Sequence, residues 1–369
     1  MSAFDGLFLP REIADAVSAG AWLEAMLAVE RAIARAEAAV GVIPQEAADA
    51  IVEACEPRLY DVGELMAAGR APGNPAEPLV RAIRDRAGGH GRFVHFGATS
   101  QDVLDSAAML VARDAVALVR DELDRLAAGC ARIAREHRST PAAAHTLLQK
   151  AVPTTFGARV AGWLVGVLDA RTAAVSLRFP AQLGGAAGTL APLGDKGVET
   201  LAAFAAELEL EEPTMPWHTR RAPVAAIGAA MSSVAAACAK IGDDVVLLAQ
   251  TEVAEVSPRE GGRSSAMPHK RNPVDAVLAR ACARLTHANA FVLGGGEYEL
   301  ERAAGAWHAE WPALSATLAY AGAAAAAARD CVEGLVVHAD RMRANLGEDD
   351  PDVGSAETFV DRALARYES

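Results

Sequence analysis

DVLDSAAMLVARDAVALVRDELDRLAAGCARIAREHR, residues 102–138, runs for about thirty-five positions without a proline and repeats its apolar residues at helical spacing. At 1.5 Å per residue this predicts a rod of about 50 Å. An apolar stripe of that length has to be buried against neighbours. Residues 155–178, 224–256, 274–293 and 313–337 supply them, each long and apolar-periodic and separated by loops rich in Gly and Pro. The fold class expected is therefore all-α, with an elongated central helical bundle.

Working outward, residues 21–40 carry Trp22, Leu23, Met26, Leu27 and Ile33 at helical spacing, and Gly41 with Pro44 marks a stop and a restart, so a helical hairpin precedes the bundle. Residues 56–97 are more broken, with APGNPAEP at 71–78 and AGGHGRF at 87–93, and predict short helices joined by loops. After Val337 a charged turn and one short helix remain. The expected organisation is an N-terminal helical domain (1–96), the central bundle (97–337) and a short remnant of a C-terminal domain (338–369).

Composition narrows the function classes. The 369 residues hold 35 Lys+Arg against 48 Asp+Glu, a net charge of −13, which argues against a nucleic-acid partner because phosphate is held by clustered cations. Hydrophobic residues at 52% exclude a disordered chain, and aromatics at 5% leave little for base stacking. The abundance of Ala favours close-packed helices over strands. Cys55, Cys130, Cys238, Cys282 and Cys331 are far apart and odd in number, which reads as reduced thiols in a cytoplasm, with neither a disulfide framework nor a zinc site. The start, MSAFDGLFLPREI, lacks the basic end and apolar run of a signal peptide. Residues 313–328, the most apolar later stretch, are Ala-rich and too short for a span, so no membrane partner is expected.

Three loops carry groups suited to chemistry. In GATSQDVLDSA (97–107), Thr99 followed three residues later by Asp102 fits a capping box. Thr99 and Ser100 either cap the helix only or, with its free N–H groups, receive a carboxylate. His95 just upstream is a further donor or a structural histidine. In HTLLQKAVPTTFG (145–157), Gln149 lies on a loop before the next helix, which Pro153 and the Thr pair start, and offers an amide to a polar ligand; Lys150 beside it reads as solvated. The glycine-rich QLGGAAGTLAPLG (182–194) has no G-x-G-x-x-G or G-K-[ST] and reads as a connector. The most informative loop is EGGRSSAMPHKRNPVDAV (260–277). Gly261 and Gly262 permit a mobile backbone, Ser264 and Ser265 supply hydroxyls, and His269, Lys270 and Arg271 place three potential cations together. Asn272 then Pro273 predicts an N-cap and first-turn proline of another helix.

SSAMPHKRNP at 264–273 resembles the S-S-x-M-P-x-K-x-N-P signature of the fumarase/aspartase superfamily, and the other two loops resemble its two further active-site segments in the same order. The resemblance spans nearly the whole chain. It implies three mostly helical domains, a central bundle of five long helices, and a homotetramer whose active sites draw loops from three subunits. The chemistry implied is addition or elimination next to a carboxylate through an enediolate, with no metal and no cofactor. The carry-over gives Ser264 the carbon-bound proton and gives Lys270 and Asn272 the carboxylate. Thr99, Ser100 and Gln149 match carboxylate-binding positions and His95 a substrate-contacting histidine. Ser265 is the alternative hydroxyl, and Arg302, in ERAAGAWHAEW (301–311), is a further carboxylate ligand; Trp307 and Trp311 read as packing.

Departures from the pattern select a branch. Many lyases of the superfamily read T-H-G-Q where this chain has Thr146-Leu147-Leu148-Gln149, so the histidine that protonates a basic leaving group is a leucine here. Hydroxide and amines need that proton, whereas a carboxylate, with a pKa near about 4, does not. The loss fits a lactonising cycloisomerase, in which the substrate's own carboxylate adds to a double bond. Residues 72–80, 97–107, 145–157 and 301–311 are similar to the branch that lactonises 3-carboxy-cis,cis-muconate in protocatechuate catabolism, the β-ketoadipate pathway. Adenylosuccinate lyases usually carry another catalytic histidine near the position of Gly73-Asn74; it is absent. Arg263 stands where the superfamily usually has Gly. An adenylosuccinate-type lyase releasing fumarate is the alternative, and a non-catalytic scaffold is disfavoured by the intact Ser pair, Lys and Asn.

Overall fold

A computed structural model describes residues 3–262, 266–267, 270–296 and 298–369. The leading segment is the helix α7 (Ser100–Glu136), 37 residues long, whose buried stripe runs from Val103 through Leu126 to Ile133. Ahead of it lie α1 (Asp5–Phe8), α2 (Arg11–Ala16), α3 (Ala19–Ala39), α4 (Gln45–Ala54), α5 (Val62–Ala68) and α6 (Ala76–Arg86). The expected hairpin is α3 and α4, turned at Gly41 with φ +78°, and α3 also lies directly against α7.

After α7 the chain does something the sequence reading did not expect. The segment 145–157, expected to be a loop around Gln149 leading into a helix, instead lies largely within an antiparallel hairpin of β1 (Pro141–Thr146) and β2 (Gln149–Thr155). Leu147 and Leu148 make its two-residue turn, both at positive φ (51° and 62°). Hairpin turns of that kind are normally Asn-Gly or Asp-Gly, so the sequence carried no signal for it. The hairpin is held instead by burial of Ala142 and Ala143 and by later segments. Lys150, expected to be solvated, donates its Nζ to the carbonyls of Asn345 (2.9 Å) and Leu346 (2.7 Å). Pro153 and Thr154 belong to β2, and Thr155 alone caps the next helix, accepting the Ala158 N–H at 3.0 Å.

That helix is α8 (Phe156–Val175), followed by α9 (Gly197–Glu207), α10 (Ala222–Leu248), the short β3 (Val256–Pro258), α11 (Val274–Leu293) and α12 (Ala306–Glu333). Helices α7, α8, α10, α11 and α12 form the five-helix bundle. Small residues set its spacing: a Cβ on Gly242 of α10 would lie 2.7 Å from the Ala276 carbonyl oxygen of α11, so only glycine permits that approach. Helix α12 begins at Ala306, ahead of the expected start at Ala313, and carries Pro312 inside. Trp307 and Glu310, ahead of Pro312, are buried and hydrogen-bonded to other elements, which fixes this first part of the helix. By length and composition α10, rather than residues 313–328, is the helix apolar enough to cross a membrane; 50% of its apolar window is buried inside the bundle. The chain ends with β4 (Leu335–Val337) paired to β3, α13 (Ala339–Leu346) against β1, and α14 (Ala356–Glu368) against α8 and α7.

Candidate active site

At the start of α7, Thr99 occupies the N-cap with an extended backbone, and its N–H donates to Asp102 Oδ2 at 3.0 Å, the return arm of a capping box. Asp102 is fully buried and does more than cap. The N–H groups of Gly184 and Gly185 donate to it at 2.9 Å each, and His218 Nε2 lies 2.7 Å from Oδ1. The glycine-rich segment is thus strapped across the helix start. Gly185 has φ +67°, and a Cβ there would sit 2.5 Å from the Gly97 carbonyl oxygen. The hydroxyl-bearing N-terminus of α7 is consequently held in a fixed position.

One turn further on, Asp105 receives both terminal nitrogens of Arg221 (2.8 and 2.9 Å) and the Trp307 indole N–H (2.9 Å). Arg221 also binds Glu310, to which the Tyr298 hydroxyl donates at 2.7 Å. Burial pushes the Arg221 guanidinium down, but Asp105 and Glu310 outweigh it, and the group is held above its ordinary value. This buried chain ties the starts of α7, α10 and α12 into one block.

Arg302, expected to meet a substrate carboxylate, is engaged by acceptors of the protein itself. Its Nη1 donates to Gln101 Oε1 (3.0 Å), its Nη2 to the carbonyls of Gly185 (2.7 Å) and Ala186 (3.0 Å), and its Nε to Ala186 (3.3 Å). Each of the three nitrogens donates at least once to a protein acceptor, so Arg302 clamps the glycine-rich strap. His95 stands at this end too, its Nδ1 2.7 Å from Glu30 Oε1. A cavity of about 980 Å³ opens beside the block, lined by Trp22, Arg70, Asn74, Leu104, Trp311 and Tyr320 among others.

The remaining site residues lie at the opposite end of the bundle. Helix α10 has its N-cap Arg221 at Asp105, and α11 starts against α10 near Gly242, so roughly 30 Å of helix separates Asn272 from the Thr99 block. Lys270 is exposed and Asn272 half-buried. Asn272 is not the N-cap: α11 begins at Val274 with Pro273 before it, and the Asn272 backbone pairs with Gly262 (3.0 and 3.3 Å). A Cβ on Gly262 would come within 2.2 Å of Val274 Cγ2 and one on Gly261 within 2.6 Å of Arg271 Cβ. These glycines permit a close approach to the residues that precede and open α11. Gln149 is exposed on the hairpin beside the turn, where Leu147 is 96% exposed. Ser264 and Ser265, together with Arg263 and His269, fall outside the described residues.

The chain therefore brings His95, Thr99, Ser100 and Arg302 together at one end and holds Gln149, Lys270 and Asn272 at the other. The sequence shows Asp102 as a capping partner but gives no role to His218, Arg221 or Glu310. The available signal is Asp102 and Asp105, three apart among the apolar residues of the first turns of α7, where two buried carboxylates need partners.

Comparison with known proteins places the chain in context. A model of the Lyase family matches residues 12–286. The chain is 49% identical over 351 residues to a nitrosuccinate lyase from Streptomyces davaonensis, covering 90% of this chain and 74% of that protein. It is 44% identical over 335 residues to a 3-carboxy-cis,cis-muconate cycloisomerase from Bradyrhizobium diazoefficiens, covering 88% and 74%. Among solved structures, the 3-carboxy-cis,cis-muconate lactonizing enzyme from Pseudomonas putida superposes with a TM-score of 0.92 at 32% identity, over 99% of each chain.

Proposed function

Because the chain belongs to the lyase family of the fumarase/aspartase superfamily, we propose that it is a cycloisomerase closing 3-carboxy-cis,cis-muconate to carboxymuconolactone, without metal or cofactor, in protocatechuate catabolism. One substrate carboxylate attacks the far alkene carbon, forming the ring C–O bond. The electrons of that double bond move toward a second carboxylate, which becomes an enediolate. Thr99, Ser100, Lys270 and Asn272 hold the accumulating charge, as preorganised donors should. Ser264, or its neighbour Ser265, delivers the proton to the α-carbon. Gln149 and His95 contact the remaining carboxylates, and Arg302 supports the site through the glycine-rich strap.

The observation that carries this reading is the Leu147-Leu148 turn. On the segment where related lyases place an acid, this chain presents two exposed leucines, which suits a reaction whose breaking or forming bond involves a carboxylate. A second reading shares that logic: elimination of nitrite from nitrosuccinate, supported by the 49% identity to a nitrosuccinate lyase. Nitrite is the conjugate base of an acid as strong as a carboxylic acid and likewise leaves without a proton. Loss of the ultraviolet diene absorbance of 3-carboxymuconate tests the first reading, and nitrite release from nitrosuccinate tests the second. No diene loss at high enzyme concentration removes the leading proposal.

The active unit in this reading is a homotetramer with sites shared between subunits. The support is geometric, since the two halves of the site lie at opposite ends of one chain. Half of the apolar window of α10 is unburied, and Phe291 on α11 is 86% exposed. Five buried free thiols fit a reducing cytoplasm.

A further inference from the structure

The buried acid Glu30 is placed to organise the site from behind. It lies on α3, its side chain has 0% exposure, and its Oε1 is 2.7 Å from Nδ1 of His95. His95 sits at φ +61°, a left-handed conformation that is unfavourable for a non-glycine residue. The backbone is turned in this way immediately before Gly97 and Thr99, with the ring seated on Glu30. The His95 Nε2 has no hydrogen-bond partner among the described residues, and 11% of the side chain stays exposed. One nitrogen faces the protein and the other is left for a ligand.

The surrounding charges decide what that second nitrogen carries. His95 faces Glu30 from α3, Asp102 from α7 and Arg84 from α6. Burial pushes the imidazole down, Glu30 by charge and hydrogen bond and then Asp102 push it up, Arg84 opposes them, and the net direction is upward. Glu37, also buried in α3, does not compete as an anion: burial, then the Glu30 charge, push its carboxyl up to about 9. Burial and Glu30 likewise push the Cys55 thiol and the Tyr60 hydroxyl up. Of these neighbours Glu30 is the one in direct contact with the ring.

We propose that Glu30 is a positioning residue for substrate binding: by accepting a hydrogen bond from Nδ1–H of His95 it keeps both ring nitrogens protonated and presents Nε2–H as a cationic donor to the carboxylate received by Thr99 and Ser100. The inference rests on the carboxylate-binding reading above, and reaches a residue outside every loop that reading used.

The test measures binding of tricarballylate, a non-reacting tricarboxylate, by calorimetry across pH, alongside steady-state kinetics. Glu30→Gln should weaken tricarballylate binding and raise KM by about tenfold near neutral pH, with a smaller change in kcat, the scale of one charge-assisted hydrogen bond. Its alkaline limb should move to lower pH by about one unit or more, because burial then acts on His95 without the opposing charge. His95→Gln should remove that limb, and adding Glu30→Gln to it should cost no more than about twofold. Glu30→Asp, which keeps the charge, should restore much of the limb and guards against a folding defect in the first variant. A pH-independent loss in Glu30→Gln, or its full cost persisting on top of His95→Gln, overturns the inference. Absence of tricarballylate binding by the unmodified enzyme overturns both it and the carboxylate reading. Intact pH-dependent binding with no turnover of 3-carboxymuconate sinks only the proposed reaction.

Discussion

The two ends of the bundle solve the problem of holding polar groups in different ways. At the start of α7 the polar side chains are buried and cross-linked: Asp102, Asp105, His218, Arg221 and Glu310 all lie below 6% exposure and each has partners. At the other end Gln149 and Lys270 are exposed, and the Leu147-Leu148 turn projects into solvent. The first end is finished within the chain, whereas the second presents its groups outward. A carboxylate site needs fixed donors that do not reorganise, and a buried network supplies them at the cost of many mutually dependent charges. Outward-facing groups are suited to completing a site elsewhere.

This contrast can be broken experimentally, beginning with the buried end. Arg221→Leu leaves Asp105 and Glu310 buried without their cation, and should cost roughly 3–5 kcal/mol in urea unfolding. An unchanged midpoint would mean that the block is not what holds the helix starts together. Next in size, Ser264→Ala should lower kcat by at least ~10²-fold, the lower range for acid–base groups. Mixing it with Thr99→Ala during reassembly should restore turnover well above either parent if the two ends meet only between chains. Failure of complementation would put both halves of the site back in one subunit.

Smaller effects sharpen the comparison. Glu37 is held near about 9 in the folded chain against an ordinary 4.5. The unfolded chain therefore releases this proton first, and stability falls as pH rises from about 4.5 toward about 9. Glu37→Gln should raise Tm by a few degrees at about pH 8 and change it little near pH 4. At the exposed end, Lys150→Ala removes the donor at the last carbonyls of α13 and should cost about 1 kcal/mol, seen as early proteolysis of residues 339–369. Smallest of all should be the salt response. The net charge is −13, and if the proposed site is locally cationic, kcat/KM should change by no more than about twofold between roughly 50 and 200 mM salt.

The long helices were legible because a 3.6-residue repeat sustained over 37 positions in α7 has few other interpretations. Thr99 as a cap, Thr155 as a helix start and the 274–293 helix could be read for the same local reason. The β1–β2 hairpin could not, since its Leu147-Leu148 turn lacks turn residues and its stability comes from α13, almost 200 positions away. The clamp of Arg302 on Gly185 and Ala186 was not legible either, because it joins residues 117 and 116 positions apart.

Sequence by itself settled what is periodic or contiguous: the helical bundle, the capped start of α7, the hydroxyl, lysine and asparagine groups of the 260–277 loop, and the leucine at the place of an acid. Tertiary structure alone decided which groups face one another. Asp102 meets Gly184 and His218, Glu30 meets His95, and Lys270 is kept roughly 30 Å of helix away from Thr99. The physical reason is that helix formation depends on neighbours three and four positions apart. The partner of a buried charge is chosen by packing, which brings together residues with no local relation in the chain.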